Sequence, residues 1–331
     1  MRGLFLQELG SPEDLALSDI SEPVPGPTDI LVDVHSAAVN FPDILSIAGK
    51  YQLKPQLPFV PGREAAGVVC SVGESVSRFK LGDRVMVQVD YGAFAEKVLA
   101  KEHEAYFIPD GIEFDQAAAV GVAFQTAWFA LTDRARIKEG EAVLITGATG
   151  SVGIAATQLA STWNCRVLAG LTTPSKASAA RRAGADLIID LSTDNPREDI
   201  REQVMRLTGG EGVDVVLDTI GGDVFSGAMR CLRFRGRMVV VGFTSGLIPE
   251  MKTNYLLLKN IEVSGVDRTQ YRDVLPTWMD EAQAQIFDYI KTNRIKMPIQ
   301  AEYPLEEYLK AFDVIRERKV EGKVVLKLKN D

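Results

Sequence analysis

Residues 143–153 read VLITGATGSVG and run on as IAATQLAS. An apolar run leads into Gly147-x-x-Gly150-x-x-Gly153 and then into an alanine-rich segment. A bare glycine triplet says little. One that ends a strand and opens a helix is what a dinucleotide-binding turn requires. Gly147 begins the turn. Gly150 is expected to let the backbone approach a pyrophosphate, and Gly153 to let the helix pack close to the strand. Ser151 and Val152 open the helix, where unpaired N–H groups and the positive dipole end face an anion. The plainer alternative is a glycine-rich turn with no ligand.

The surroundings favour the first reading. Short apolar runs recur at 142–146 (AVLIT), 166–170 (RVLAG), 186–190 (DLIID), 213–218 (VDVVLD), 236–242 (GRMVVVG) and 261–266 (IEVSGV), with helical stretches between them. This alternation predicts a parallel sheet covered by helices on both faces. The first third differs. ILVDVHSAAVN at 30–40 alternates with period two over Ile30, Val32 and Val34, so it reads as a strand with one buried face. Pro42 suits the first turn of a short helix that stops at Gly49. GVVCSV, GDRVMV and GAFAEKVLA then follow at short spacing, the rhythm of an antiparallel β-rich domain. Near the end, a helix at 275–293 precedes YPLEEYLKAFDVIRER and a last strand, GKVVLKL. The expected class is α/β, with residues 1–123 and 267–331 forming a β-rich domain and 124–266 a doubly wound parallel sheet.

Bulk properties narrow the function. The 331 residues suit two domains, and 46% hydrophobic residues allow sizeable cores. A net charge of −8 argues against nucleic acid as the main partner. No run of 18 uncharged apolar residues suggests a membrane span. The start, MRGLFLQELG, lacks a secretory apolar core. Three scattered cysteines (Cys70, Cys165, Cys231) form neither a disulfide framework nor a CxxC metal spacing, which suits a reducing cytoplasm.

The turn after the second run selects the cofactor. An NAD site has an acid about 20 residues beyond the glycines, on the ribose 2′-hydroxyl. Here no Asp or Glu lies between Ile154 and Ala185, and Gly170 is followed by LTTPSK. Thr172, Thr173 and Ser175 can donate hydrogen bonds, and Lys176 can pair with a 2′-phosphate. Removing a carboxylate from beside a phosphate dianion removes a repulsion of several kcal/mol. NADPH is therefore expected over NADH. The alternative for Lys176 is a solvated lysine at a helix start. Asp190, after the third run, would weaken such a site if its carboxylate faced it.

With these residues in view, the chain resembles the quinone oxidoreductases of the medium-chain dehydrogenase/reductase superfamily over nearly its whole length. The most specific segment is AAVNFPDILSIAGKYQLKPQLPFVPGREAAG at 37–67, with its VN-x-PD, G-x-Y and LPF-x-PG-x-E-x-AG pieces. AFQTAW at 123–128, LDTIGG at 217–222 and VVVGFTSG at 239–246 also fit. The resemblance implies a GroES-like catalytic domain, a Rossmann domain, and nicotinamide and substrate in the cleft between them. It also implies a homodimer joined edge to edge through the strand at 261–266. Thr126, Thr219, Ile220 and Gly221 are then expected near the nicotinamide half. Gly242, Phe243 and Ser245 are expected at its ribose. Lys323 is expected either to reach a phosphate or to cap the surface.

Alcohol dehydrogenases of the same superfamily use a catalytic zinc, with a Cys near the position of Asn40 and a His near that of Arg63. A guanidinium is not a zinc ligand, and the four-cysteine structural lobe is missing, so no metal is expected. His35 and His103 read as strand and surface residues. Without zinc, hydrogen bonds must polarise the substrate carbonyl. Quinones and conjugated enones need little such help, and a bound nicotinamide supplies the hydride. The family pattern offers Tyr51 and Asn40 as donors to the substrate oxygen, although Tyr51 can instead simply line the cleft. Asp43 is expected to stabilise its helix start, and Glu64 to pair with Arg63, Arg84 or backbone groups. Two other functions fit the same residues: reduction of an enoyl thioester or alkenal, and a non-catalytic NADPH sensor.

Overall fold

The computed structural model describes residues 1–329. The chain begins β1 (Arg2–Phe5), β2 (Ala16–Asp19), β3 (Asp29–Val39), α1 (Phe41–Ile47), β4 (Glu64–Val72), β5 (Arg84–Gln88), β6 (Lys97–Lys101), β7 (Ala105–Phe107) and α2 (Phe114–Phe129). It continues β8 (Ala142–Thr146), α3 (Ser151–Thr162), β9 (Arg166–Leu171), α4 (Ala177–Arg182), β10 (Leu187–Asp190), α5 (Pro196–Leu207), β11 (Val213–Asp218) and α6 (Gly222–Arg230). It closes with β12 (Leu232–Val240), α7 (Asn254–Lys259), β13 (Glu262–Gly265), α8 (Arg268–Val274), α9 (Pro276–Lys291), β14 (Ile299–Pro304), α10 (Tyr308–Arg316) and β15 (Lys323–Lys327). No helix is long and apolar enough to cross a membrane among the described residues.

Two compact units result. Among the described residues, one comprises 1–122 with 272–291 and 297–329; the other comprises 123–271 with 292–296. The return to the first unit thus falls at 272, inside α8, rather than at 267. Residues 292–296 go back to the second unit because the side chain of Gln158 holds Lys296. Gln158 Nε2 donates to Lys296 O at 2.7 Å, and Lys296 N donates to Gln158 Oε1 at 2.6 Å.

The second unit is the parallel sheet that the apolar runs predict. Its strand order is β10-β9-β8-β11-β12-β13, and every neighbouring pair is parallel. Chain order reverses between β8 and β11, the switch point where ligands gather in such sheets. Leu144, Leu168, Ile189 and Val216 from the strands pack with Ile200, Phe225 and Met229 from the helices into one core. Burying residues of this size contributes about 1.5–3 kcal/mol each. β13 is an edge strand, paired on one side only with β12.

The first unit is built on β3. Its N-terminal half pairs with β6, its C-terminal half with β15, and its other edge with β4. The seven-stranded sheet runs β14-β15-β3-β4-β5-β7, with β6 added at β3, and only β14–β15 is parallel. Val32, Val34, Val69, Val85, Phe94, Phe312 and Leu326 share its core. Tyr303 and Pro304 finish β14, a 3₁₀ turn follows at Leu305–Glu307, and the α-helix begins at Tyr308.

Candidate functional site

In the second unit the glycine turn joins β8 to α3 at the switch point. Gly147 has φ +67°, a left-handed backbone that favours glycine. A Cβ there would lie 2.5 Å from Thr219 Oγ1. At Gly153 a Cβ would lie 2.2 Å from Gly147 O and 2.7 Å from Ala148 Cα, so only glycine lets the helix start fold back on the turn. Gly150 is different. It is extended, and a Cβ would meet nothing nearer than Gly147 O at 3.5 Å, so its backbone faces open space. A dinucleotide pyrophosphate fits this cradle: a close-packed turn, an open middle glycine, and the N–H groups of Ser151, Val152 and Gly153 at the start of α3.

Opposite β8, the turn after β11 is organised by a residue that sequence reasoning missed. Asp218 is fully buried. It accepts hydrogen bonds from Thr146 Oγ1 (2.5 Å), Ile220 N (3.2 Å) and Gly221 N (3.1 Å). Burial pushes its carboxyl pKa up, against these hydrogen bonds, which hold it down. Its one sequence signal was an acid at the end of the VDVVLD strand, three residues before a glycine pair. Thr219 donates its hydroxyl to Thr146 O at 2.8 Å, which joins the two turns. The next loop is tied on by Thr244 N to Thr219 O (3.1 Å), Ser245 N to Ile220 O (3.0 Å) and Gly222 N to Leu247 O (3.1 Å). Thus Thr219, Ile220, Gly221 and Ser245 share one hydrogen-bonded rim, Gly242 enters it through Asp218 O, and Phe243 lies in the loop between them. Thr126 lies half-buried on α2.

β9 ends at Leu171. Thr172 and Ser175 are exposed, and Thr173 and Lys176 are half-buried. Asp190 does not stay uncommitted: its Oδ1 accepts from Ser192 N (2.8 Å) and Ser192 Oγ (2.6 Å).

In the first unit the segment 40–64 forms a buried polar cluster. Asn40 caps α1, and its own N–H donates to Asp43 Oδ2 at 2.7 Å, the helix-start role expected for Asp43. Both donors of the Asn40 amide are taken: Nδ2 bonds Ala38 O (3.2 Å) and Glu64 Oε1 (3.0 Å). Its Oδ1 accepts from Lys323 Nζ at 2.5 Å. A carboxylate on one side and an ammonium on the other leave only this amide orientation. Asn40 therefore has no N–H left for a substrate oxygen, which corrects that expectation.

Lys323 is corrected too. It is fully buried, paired with Glu64 and hydrogen-bonded to Asn40, so it neither caps the surface nor holds its ammonium out to a phosphate. Glu64, also fully buried, takes Lys323 rather than Arg63 or Arg84 as its cation. It also accepts from Val122 N at 2.7 Å. The sequence carried no spacing signal for this pair, since 259 positions separate its members.

Arg63 turns to other partners. Its guanidinium sits 4.1 Å from the Tyr51 ring centroid, its Nη2 donates to Ser46 Oγ at 3.2 Å, and its Nε lies 4.0 Å from Asp43 Oδ1. Burial drives the Asp43 carboxyl up to about 7, against the pull of Arg63. No group of three or more His, Cys, Asp or Glu able to hold a metal ion occurs among the described residues.

Comparison with known proteins follows the same lines. Residues 26–110 match the alcohol dehydrogenase GroES-like domain, and 151–284 match the zinc-binding dehydrogenase family. The chain is 36% identical to quinone oxidoreductase-like protein 2 homolog of Nematostella vectensis over 331 residues, covering 99% of this chain and 89% of that one. It is 36% identical to the Bos taurus quinone oxidoreductase-like protein 2 over 329 residues, covering 99% and 93%. The solved structure of Escherichia coli quinone oxidoreductase complexed with NADPH superposes with a TM-score of 0.92 at 30% identity, covering 99% of this chain and 100% of that one. With a GroES-like sheet, a Rossmann sheet and relatives that match over 99% of its length, the chain belongs to the quinone oxidoreductase-like proteins of the medium-chain dehydrogenase/reductase superfamily.

Proposed function

We propose that this protein is an NADPH-dependent reductase of quinones or conjugated enones that works without zinc. The observation that carries the reading is the turn after β9. Thr172, Thr173, Ser175 and Lys176 stand where an NAD-specific site would carry an acid, beside the glycine cradle at the switch point. The NADPH in the similar Escherichia coli enzyme supports the same cofactor.

When bound, NADPH supplies the hydride. The chain does the rest. N–H groups at the start of α3 hold the pyrophosphate, and Lys176 pairs with the 2′-phosphate. The rim of Thr219, Ile220, Gly221, Gly242, Phe243 and Ser245, with Thr126, orients the nicotinamide end. Tyr51 donates its phenol hydrogen bond to the substrate oxygen, alone now that the Asn40 amide is committed. Zinc independence rests on residue chemistry: the two positions that carry metal ligands in the zinc enzymes hold an amide and a guanidinium, both engaged with carboxylates. The edge strand β13 is the proposed seam of a homodimer, and the cytoplasm the proposed location.

The test is NADPH oxidation against a panel of quinones, enones and enoyl thioesters, with calorimetric titration of NADPH and NADH. Turnover restricted to the thioesters would transfer the protein to enoyl reduction. Binding without turnover would make it a sensor, and failure to bind either nucleotide would remove the reading altogether.

A further inference from the structure

Arg63 is a buried cation that the reaction scheme above leaves unused. It is 3% exposed, in the loop entering β4. All of its side-chain contacts described above come from α1 and the turn that leaves it. Asp43 and Ser46 lie on α1, and Tyr51 follows four residues after its end. Arg63 Nε and Asp43 Oδ1 face each other at 4.0 Å, and neither has a hydrogen-bond partner among the described residues. The backbone of Tyr51 is held already: Gly49 turns the chain at φ +66°, and Lys50 N and Tyr51 N both donate to Leu45 O. The half-buried ring is what remains to be placed, and the guanidinium covers it at 4.1 Å.

A buried guanidinium is costly unless its charge and its planar face are both used. Here the charged group stands 4.0 Å from the Asp43 carboxyl and the face lies on Tyr51. We propose that Arg63 is a positioning residue: stacked on the Tyr51 ring and braced by Asp43 and Ser46, it sets the direction of the phenol and so how tightly a flat quinone is held. This rests on the reading of Tyr51 as the substrate contact. Lysine at this position would keep the charge opposite Asp43 but lose the planar stacking surface.

The experiment measures KM and kcat of the full chain for a soluble 1,4-benzoquinone at saturating NADPH. It compares wild type, Arg63→Lys, Tyr51→Ala and the double variant. Arg63→Lys is expected to raise KM about fivefold, the scale of one cation–π contact, with kcat little changed. In the Tyr51→Ala background the same substitution is expected to do nothing, an outcome that a merely structural arginine would not give. An unchanged KM in Arg63→Lys, or an equal rise in both backgrounds, overturns the inference while leaving Tyr51 as the contact. An unaltered KM in Tyr51→Ala overturns the Tyr51 reading, and this inference with it. Should Arg63→Lys fail to fold, the neutral pair Arg63→Gln with Asp43→Asn is read in the same way.

Discussion

Lys323→Met is the sharpest test of the buried cluster. The substitution keeps most of the side-chain volume and removes the ammonium. Among the described residues Glu64 would retain Asn40 Nδ2 at 3.0 Å and Val122 N at 2.7 Å, in a site where both partners of the pair are 0% exposed. The site is close-packed at Gly121, where a Cβ would stand 3.1 Å from Glu64 Oε2 and 2.2 Å from Gln88 Nε2. Breaking a buried pair on one side costs about 3–5 kcal/mol. The orphaned Asn40 Oδ1 adds about 1 kcal/mol more. At about 2–4 °C per kcal/mol for units of this size, the unfolding midpoint is expected to fall by roughly 10 °C or more. Scanning calorimetry or circular dichroism reads this directly. Glu64→Gln combined with Lys323→Met is expected to lose clearly less than the sum of the two single changes, because no charge is then left unpaired. A midpoint within about 2 °C of wild type, or strict additivity, would refute the account of the cluster. NADPH titration of the folded variant supplies a second check: a tenfold loss of affinity would restore the phosphate role denied to Lys323 above.

Three further outcomes are expected. The folded Asp43 carboxyl titrates at about 7 against an ordinary 3.8, so the folded chain holds the extra proton between those values. Its contribution to stability is therefore full below the lower value and lost as pH rises through the upper one. The loss amounts to at most about 1.4 kcal/mol per pH unit, or about 2–3 kcal/mol from pH 5 to 7. Asp43→Asn should flatten that slope in denaturant melts, and an unchanged slope would show that Asp43 is not its source. Gly153→Ala pushes a methyl against backbone at 2.2 Å. It should cost about 1–3 kcal/mol of stability and also loosen NADPH, since α3 must shift away from the turn. Lys176→Ala should weaken NADPH about tenfold or more, as loss of a charge-assisted contact does, while leaving NADH untouched in the same calorimetric titration.

Much of the architecture is local information. The strand–glycine–helix transition at 143–153 and the apolar runs around it mark a parallel sheet through backbone periodicity and glycine sterics alone, and β8 through β13 occur where those runs stand. The capping role of Asp43 is equally local, because cap and partner are three residues apart. What resisted reading depended on contacts between distant parts of the chain. Glu64 looked suited to Arg63 beside it, yet β15 delivers Lys323 from the other end of the chain, and that lysine removes Asn40 from the list of substrate donors. The role of Asp218 exists only because the turns after β8 and β11 close around it. Residues 292–296 join the second unit through a single glutamine, Gln158, which holds Lys296.

The sequence by itself determined that a strand would pass through a tight glycine turn into a helix, and that no carboxylate would follow the second strand of that sheet. Both are properties of neighbouring residues, decided by backbone conformation and by which side chains are present at all. Only the tertiary structure decided which buried charges meet. A charge in a core is tolerable only beside its counter-charge, and pairing across 259 positions is settled by how strands β3, β4 and β15 come together, not by any spacing along the chain.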